Sequence, residues 1–189
     1  MKKILLTLIT IFCFALSFAS GGNQVGVKPS KTDIVTGADQ VSKYLPILKG
    51  KNVGMTINQT STIGKKLSMD SLLSLGVKVV KGFGPEHGFR GNASDGAVIG
   101  NFKDEKTGIP IISLYGDHNK PTKEDLAGVD VMIFDIQDVG VRFYTFLSTL
   151  HYVMEACAEN IIELIILVQS DPIRINDHVT IVGRLKDGR

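Results

Sequence analysis

Residues 83–91 read Phe-Gly-Pro-Glu-His-Gly-Phe-Arg-Gly. A carboxylate (Glu86), an imidazole (His87) and a guanidinium (Arg90) share one turn bounded by glycine and proline. Turn geometry asks for Gly, Pro, Asn or Asp; it does not ask for Glu, His and Arg together. These groups suit proton transfer, nucleophilic attack and the holding of an anion. Glu86 is the first candidate for a general acid/base or nucleophile, and His87 for a group that orients it or binds substrate. Adjacent side chains in a turn point apart, so the two need not be partners, and a solvated turn glutamate is the competing reading. Arg90 and the more distant Arg142 have the fork geometry that grips a carboxylate. An ion pair with Asp95, Asp135 or Asp138 would satisfy either arginine equally.

Positioning such groups is the work of strands and the loops after them. The β-branched run before the turn predicts a strand over 77–83. Further strands are expected over 52–58, 109–114, 129–136 and 161–168, all read as continuous apolar runs, the pattern of burial on both faces. Helical spacing predicts helices over 39–48, 68–75 and 143–159, with a short one opening at Pro121. In the longest, Phe143, Phe146, Leu147, Leu150, Val153, Met154 and Cys157 form the apolar stripe. The stretches 59–66 and 92–108 read as loops. Strands alternating with helices imply an α/β fold, a Rossmann-like, mainly parallel sheet with flanking helices. In such a sheet the loops after the strands share one edge, where ligands bind. Asn58 follows the first strand, the Glu86 turn the second, and Tyr115 to His118 the third. Asp135, Gln137, Asp138, Arg142 and Tyr144 follow the fourth. Asn58, Arg90, Asp135, Gln137, Asp138, Arg142 and Tyr144 are therefore candidate substrate-binding residues.

The chain of 189 residues opens Met-Lys-Lys, followed by an apolar run to Phe18 and then Ala19-Ser-Gly-Gly. That is the order of an export signal, over 1–19, and the run is short for a span of about 20 apolar residues. The expected destination is periplasmic or extracellular, with no membrane association after the signal is removed. Residues 20–38 read as a polar lead-in, 39–172 as the folded domain and 173–189 as an atypical tail without helical or strand period. Of the 21 basic residues Lys2 and Lys3 leave with the signal, so 19 remain against 19 acidic ones. That balance gives no electrostatic case for nucleic acid. Cys157 then stands alone, a small core residue of a helix. There is no G-x-S-x-G elbow, P-loop or H-E-x-x-H, and the histidines have no zinc spacing with Cys157. His87 stands where a dinucleotide fingerprint begun at Gly82-x-Gly84 would need its third glycine. Neither metal nor cofactor is expected.

Several blocks together resemble a known family, the exo-β-N-acetylmuramidases of the NamZ type, formerly a domain of unknown function. They are Thr56-Ile-Asn-Gln-Thr60, the 83–91 turn, Ser113-Leu-Tyr-Gly116, Lys120-Pro-Thr122 and Phe134-Asp-Ile-Gln-Asp-Val-Gly-Val-Arg-Phe-Tyr-Thr145. The resemblance runs over about 39–160. It implies a Rossmann-like domain followed by a second domain, with the active site between them. It further implies removal of N-acetylmuramic acid from non-reducing ends of peptidoglycan fragments, by double displacement. Its Pro-Glu-His-Gly motif carries the catalytic carboxylate onto Glu86. Where the family continues its fifth strand with Asp-Arg-Pro-Asn-Pro, this chain has Val168-Gln-Ser-Asp-Pro172. The sequence reads as the N-terminal half of such a protein, and the second domain is expected to be missing from it. The expected partners are muramyl-terminated saccharides. The alternatives are an exported sugar-binding α/β module without turnover, and a non-functional fragment.

Overall fold

The computed structural model describes residues 35–85, 88–91, 100–138, 140–141 and 144–167. All of these lie in the unit Ile34–Arg189. The signal, the first part of the lead-in and the tail lie outside the described residues, as do Glu86, His87 and Arg142.

The elements are α1 (Val41–Leu48), β1 (Asn52–Ile57), β2 (Thr62–Ile63), β3 (Lys66–Leu67), α2 (Ser68–Ser74), β4 (Lys78–Gly84), β5 (Phe102–Lys103), β6 (Pro110–Ser113), β7 (Val131–Asp135), α3 (Phe146–Glu159) and β8 (Glu163–Ile166). The main sheet runs β5-β6-β4-β1-β7-β8. Every pairing in it is parallel except β5 with β6. From β1 the chain lays β4 and β6 to one side, then returns across β1 to lay β7 and β8 on the other. That is the order of a dinucleotide-type α/β sheet, and its direction reverses between β1 and β7.

Alternation along the strands divides the core into two layers. Val53, Met55 and Ile57 of β1 and Val131 and Ile133 of β7 pack with Tyr44, Leu48, Met69 and Leu72 of α1 and α2. Met132 and Phe134 pack on the other face with Val153, Ala156 and Cys157 of α3. Every residue of β7 is buried. Burial pushes the Cys157 thiol up to about 12, so it is a packing group.

Several expectations are corrected. The 59–66 loop contains the small antiparallel hairpin β2–β3, in which Ile63 pairs with Lys66 across Gly64-Lys65. Gly64 has φ +59°, which suits the first central position of a tight hairpin turn. The stretch 92–108 contributes the edge strand β5. The helix expected at Pro121 closes one turn, Leu126 N–H to the Thr122 carbonyl at 3.1 Å, and does not propagate. In α3 the buried side is Phe146, Thr149, Val153, Ala156 and Cys157, whereas Leu147 is 62% exposed.

The end of α3 is locally strained. Ile162 N–H bonds the Cys157 carbonyl (2.9 Å) and Ile161 N–H the Ala158 carbonyl (3.3 Å). These are the paired bonds of a cap whose central residue takes the left-handed conformation, usually as glycine. Here that residue is Ile161, at φ +57° and 91% exposed. A branched side chain in that region costs about 1–2 kcal/mol. Ile161→Gly should therefore raise stability by about 1 kcal/mol, seen as a higher urea midpoint at unchanged slope.

Candidate active site at the reversal of the sheet

Ile57 and Asp135 pair in register where β1 and β7 end. The loop after β1 is built from its own polar side chains. Asn58, only 1% exposed, accepts from Thr60 through Oδ1, at 2.9 Å from the backbone N–H and 2.7 Å from the hydroxyl. Ser61, fully buried, accepts the Asn58 N–H (3.0 Å) and donates to the backbone carbonyl of Asp135. One hydroxyl therefore fastens the β1 loop to the end of β7. Ser61→Ala leaves a buried N–H and a carbonyl without that partner, and should cost about 2 kcal/mol in chemical unfolding.

Asp135 is fully buried. By alternation its side chain lies on the Tyr44 face of the sheet. The Tyr44 phenol donates to the Ala38 carbonyl (2.7 Å) and is pushed far up in pKa, by burial first and then by the charges of Asp135 and Asp39. Gln137 is half-buried and Asp138 exposed, its Oδ1 accepting the Gly140 N–H (3.1 Å). Tyr144 is 40% exposed, with its ring 5.5 Å from that of Phe146. After β7, Asp138 and Tyr144 are thus exposed, whereas Asp135 is enclosed.

The turn after β4 is shaped by glycines. A β-bulge between Val53 and Gly54 moves the β1–β4 register by one residue. Beyond it Phe83 joins the α3 layer, while Gly82 and Gly84 lie under Phe89, a member of the opposite layer. A side chain at Gly82 would meet Ile111 Cδ1 at 2.5 Å and the Phe89 ring at 3.3 Å. Gly88 N–H returns to the Pro85 carbonyl (3.1 Å), with Gly88 at φ +78°. The chain therefore doubles back within a few residues, and Phe89, 1% exposed, fills the space above the glycines. The ends of the Glu86-His87 segment are thereby fixed at the edge of the strand next to β1.

Arg90 follows immediately and is enclosed by carboxylates. Nε and Nη2 donate to Asp104 at 2.6 and 2.8 Å. Nη1 and Nη2 donate to Asp70 at 3.2 and 3.0 Å. Asp104, whose side chain is 4% exposed, also accepts from the Thr107 backbone (3.1 Å) and hydroxyl (2.5 Å). Lys106 adds an ammonium to Asp70 at 2.7 Å. Hydrogen bonds from Arg90 hold both carboxyls below their usual range. Among the described residues the partners of Arg90 are thus Asp70 and Asp104, not Asp135 or Asp138; Asp95 lies outside the described residues. Neither acid stands out in the sequence, because Asp70 is an ordinary first-turn acid of a helix and Asp104 lies in a stretch without period. The one available signal was Asp104-x-x-Thr107, the spacing of a self-capping turn.

After β6, His118 Nε2 lies 2.8 Å from Asp125 Oδ2, which also accepts the Thr122 N–H at 2.8 Å. Lys81 of β4 reaches the Asp125 carbonyl at 2.6 Å. This group ties the loop to β4. No group of three or more His, Cys, Asp or Glu suited to a metal occurs among the described residues.

The matching family is described as exo-β-N-acetylmuramidase NamZ, N-terminal, over residues 53–184. The match extends past Asn160 into the atypical tail. A protein of Bacillus subtilis (strain 168), named peptidoglycan β-N-acetylmuramidase NamZ, is 44% identical over 153 residues, covering 79% of this chain and 36% of its own. A solved DUF1343 family protein of Bacteroides fragilis NCTC 9343 is 41% identical with TM-score 0.64, over 75% of this chain and 36% of that one. A second from the same organism is 38% identical with TM-score 0.67, over 74% and 35%. The chain spans about a third of the length of these relatives. Sheet order, the glycine-based turn and these similarities agree: the chain belongs to the NamZ family, of which it carries the N-terminal region.

Proposed function

We propose that this chain contributes the N-terminal part of an exported glycoside hydrolase that releases N-acetylmuramic acid from non-reducing ends of peptidoglycan fragments. The observation that carries the reading is the Pro85-Glu86-His87-Gly88 turn, whose flanks sit at the carboxyl edge of the sheet in a chain 44% identical to a named peptidoglycan β-N-acetylmuramidase. Glu86 is the catalytic carboxyl, with His87 beside it in the chain. Glycoside cleavage pairs two carboxyl groups, about 5–5.5 Å apart for retention and about 6.5–9.5 Å for inversion. Of the acids after β7, Asp138 is the exposed one and suits a group that meets substrate; Asp135 suits a buried support. Tyr144 offers an apolar ring to a sugar face, and Gln137 and Arg142 offer donors. Asn58 acts by shaping the β1 loop. The apolar segment before Ala19 directs the product to the periplasm or beyond.

The test is product analysis on a disaccharide with muramic acid at its non-reducing end. Free N-acetylmuramic acid should accumulate with time and enzyme. Saturable binding without release would replace this reading with that of a sugar-binding module, which a chain spanning a third of its relatives also fits.

A further inference from the structure

Two charges on the site edge have no part in the architecture above. A cleft of about 420 Å³ opens between the β1 loop, the β2–β3 hairpin, α2 and the segment after the Glu86 turn. Its walls include Gln59, Lys65, Lys66, Asp70, Arg90 and Lys106. Four of these six are cationic, but they are not equivalent. Arg90 is bound by Asp70 and Asp104, and Lys106 by Asp70. Lys65 and Lys66 are exposed, and neither has an ion pair or side-chain hydrogen bond among the described residues. The attraction this cleft offers a ligand therefore comes from the hairpin lysines, not from the arginine that sequence reading favoured.

The hairpin is held in place before any ligand arrives. Asp39 Oδ1 accepts the Gly64 N–H at 2.9 Å, and Ser68 N–H bonds the Ser61 carbonyl at 2.8 Å. Ser61 is the residue that fastens the β1 loop to β7. Two ammonium groups carried on a fixed turn lose less freedom on binding an anion than two on a free loop.

We propose that this cleft is a carboxylate-binding subsite in which Lys65 and Lys66 receive the acidic arm of the substrate. The proposal rests on the muramyl reading of the preceding subsection. N-Acetylmuramic acid differs from N-acetylglucosamine by a lactyl ether ending in a carboxylate. Where a peptide is joined to that carboxyl, the peptide supplies carboxylates of its own. Both sources share one chemistry, and the cleft volume falls in the range of small-ligand sites.

Binding to the 189-residue chain is measured by titration with N-acetylmuramic acid, N-acetylmuramoyl-L-alanyl-D-isoglutamine, N-acetylglucosamine and N-acetyl-D-glutamate. Lys65→Gln/Lys66→Gln should weaken binding of at least one carboxylate probe about tenfold, leave N-acetylglucosamine unchanged and remove the salt dependence. Both positions are exposed, and an unchanged melting temperature verifies the fold. Loss confined to N-acetylmuramic acid assigns the lactyl group, and loss confined to the dipeptide conjugate assigns the peptide. If only N-acetyl-D-glutamate binds and the variant loses it, the subsite stands and the muramyl reading falls. If wild type and variant bind every carboxylate probe alike, or no carboxylate probe binds, the subsite is overturned.

Discussion

Arg90→Leu lowers folding stability by about 3–5 kcal/mol at neutral pH, because it strands the enclosed Asp104 carboxylate and leaves Asp70 with Lys106 alone. Asp104 suffers most, with a side chain only 4% exposed. Arg90→Lys should lose an intermediate amount, since one ammonium cannot face two carboxylates in parallel pairs. The effect has a definite pH signature. Arg90 depresses the Asp70 and Asp104 pKa values in the folded chain. The stability this confers is fully present above the unfolded carboxyl value, about 3.9, and is lost as pH falls through the depressed folded values. In Arg90→Leu the stranded acids protonate more readily, so the gap between the two proteins should narrow below about pH 4. Urea unfolding across pH 3–7 measures this. A gap under 1 kcal/mol at pH 7, or one independent of pH, would show that Arg90 is not a brace.

On the proposed hydrolase function, Glu86→Gln is expected to cut release of N-acetylmuramic acid by about 10²–10⁴-fold, the range for a lost acid–base group. The amide keeps the shape of the side chain and removes its proton chemistry. Unfolding midpoint and binding of N-acetylmuramic acid should stay near wild type, which separates a chemical defect from a folding one. Release within a factor of ten of wild type would move the catalytic role to another carboxyl, with Asp138→Asn as the next variant to assay.

The strands were legible because they are apolar runs with little else to be: β1, β4, β6, β7 and β8 fall within one or two residues of where β-branched and apolar density places them. Their parallel order followed from alternation with helices. What escaped was local or long-range. The β2–β3 hairpin is two residues per strand, too short for periodicity to register. Leu147 matched the helical stripe yet lies outside, because burial on α3 follows 146, 149, 153 and 156–157. For the site, alternation and sheet topology were enough to gather the loops after β1, β4 and β7 at one edge. They could not say that Asn58 would be spent on its own loop, or that Arg90 would meet acids at positions 70 and 104. Those outcomes depend on contacts between segments far apart in sequence, for which spacing carries no signal.

The packing of Phe89 over Gly82 and Gly84 constrains how this turn can change over time. The ring must return to the bare backbone, so the number of residues between Gly84 and Phe89 is set by the span it has to cover. Substitutions within that interval leave the span intact; an insertion or deletion would carry the ring off its seat and open the core beneath. Descendants of this chain should accordingly keep the length of the interval constant, whichever side chains it carries.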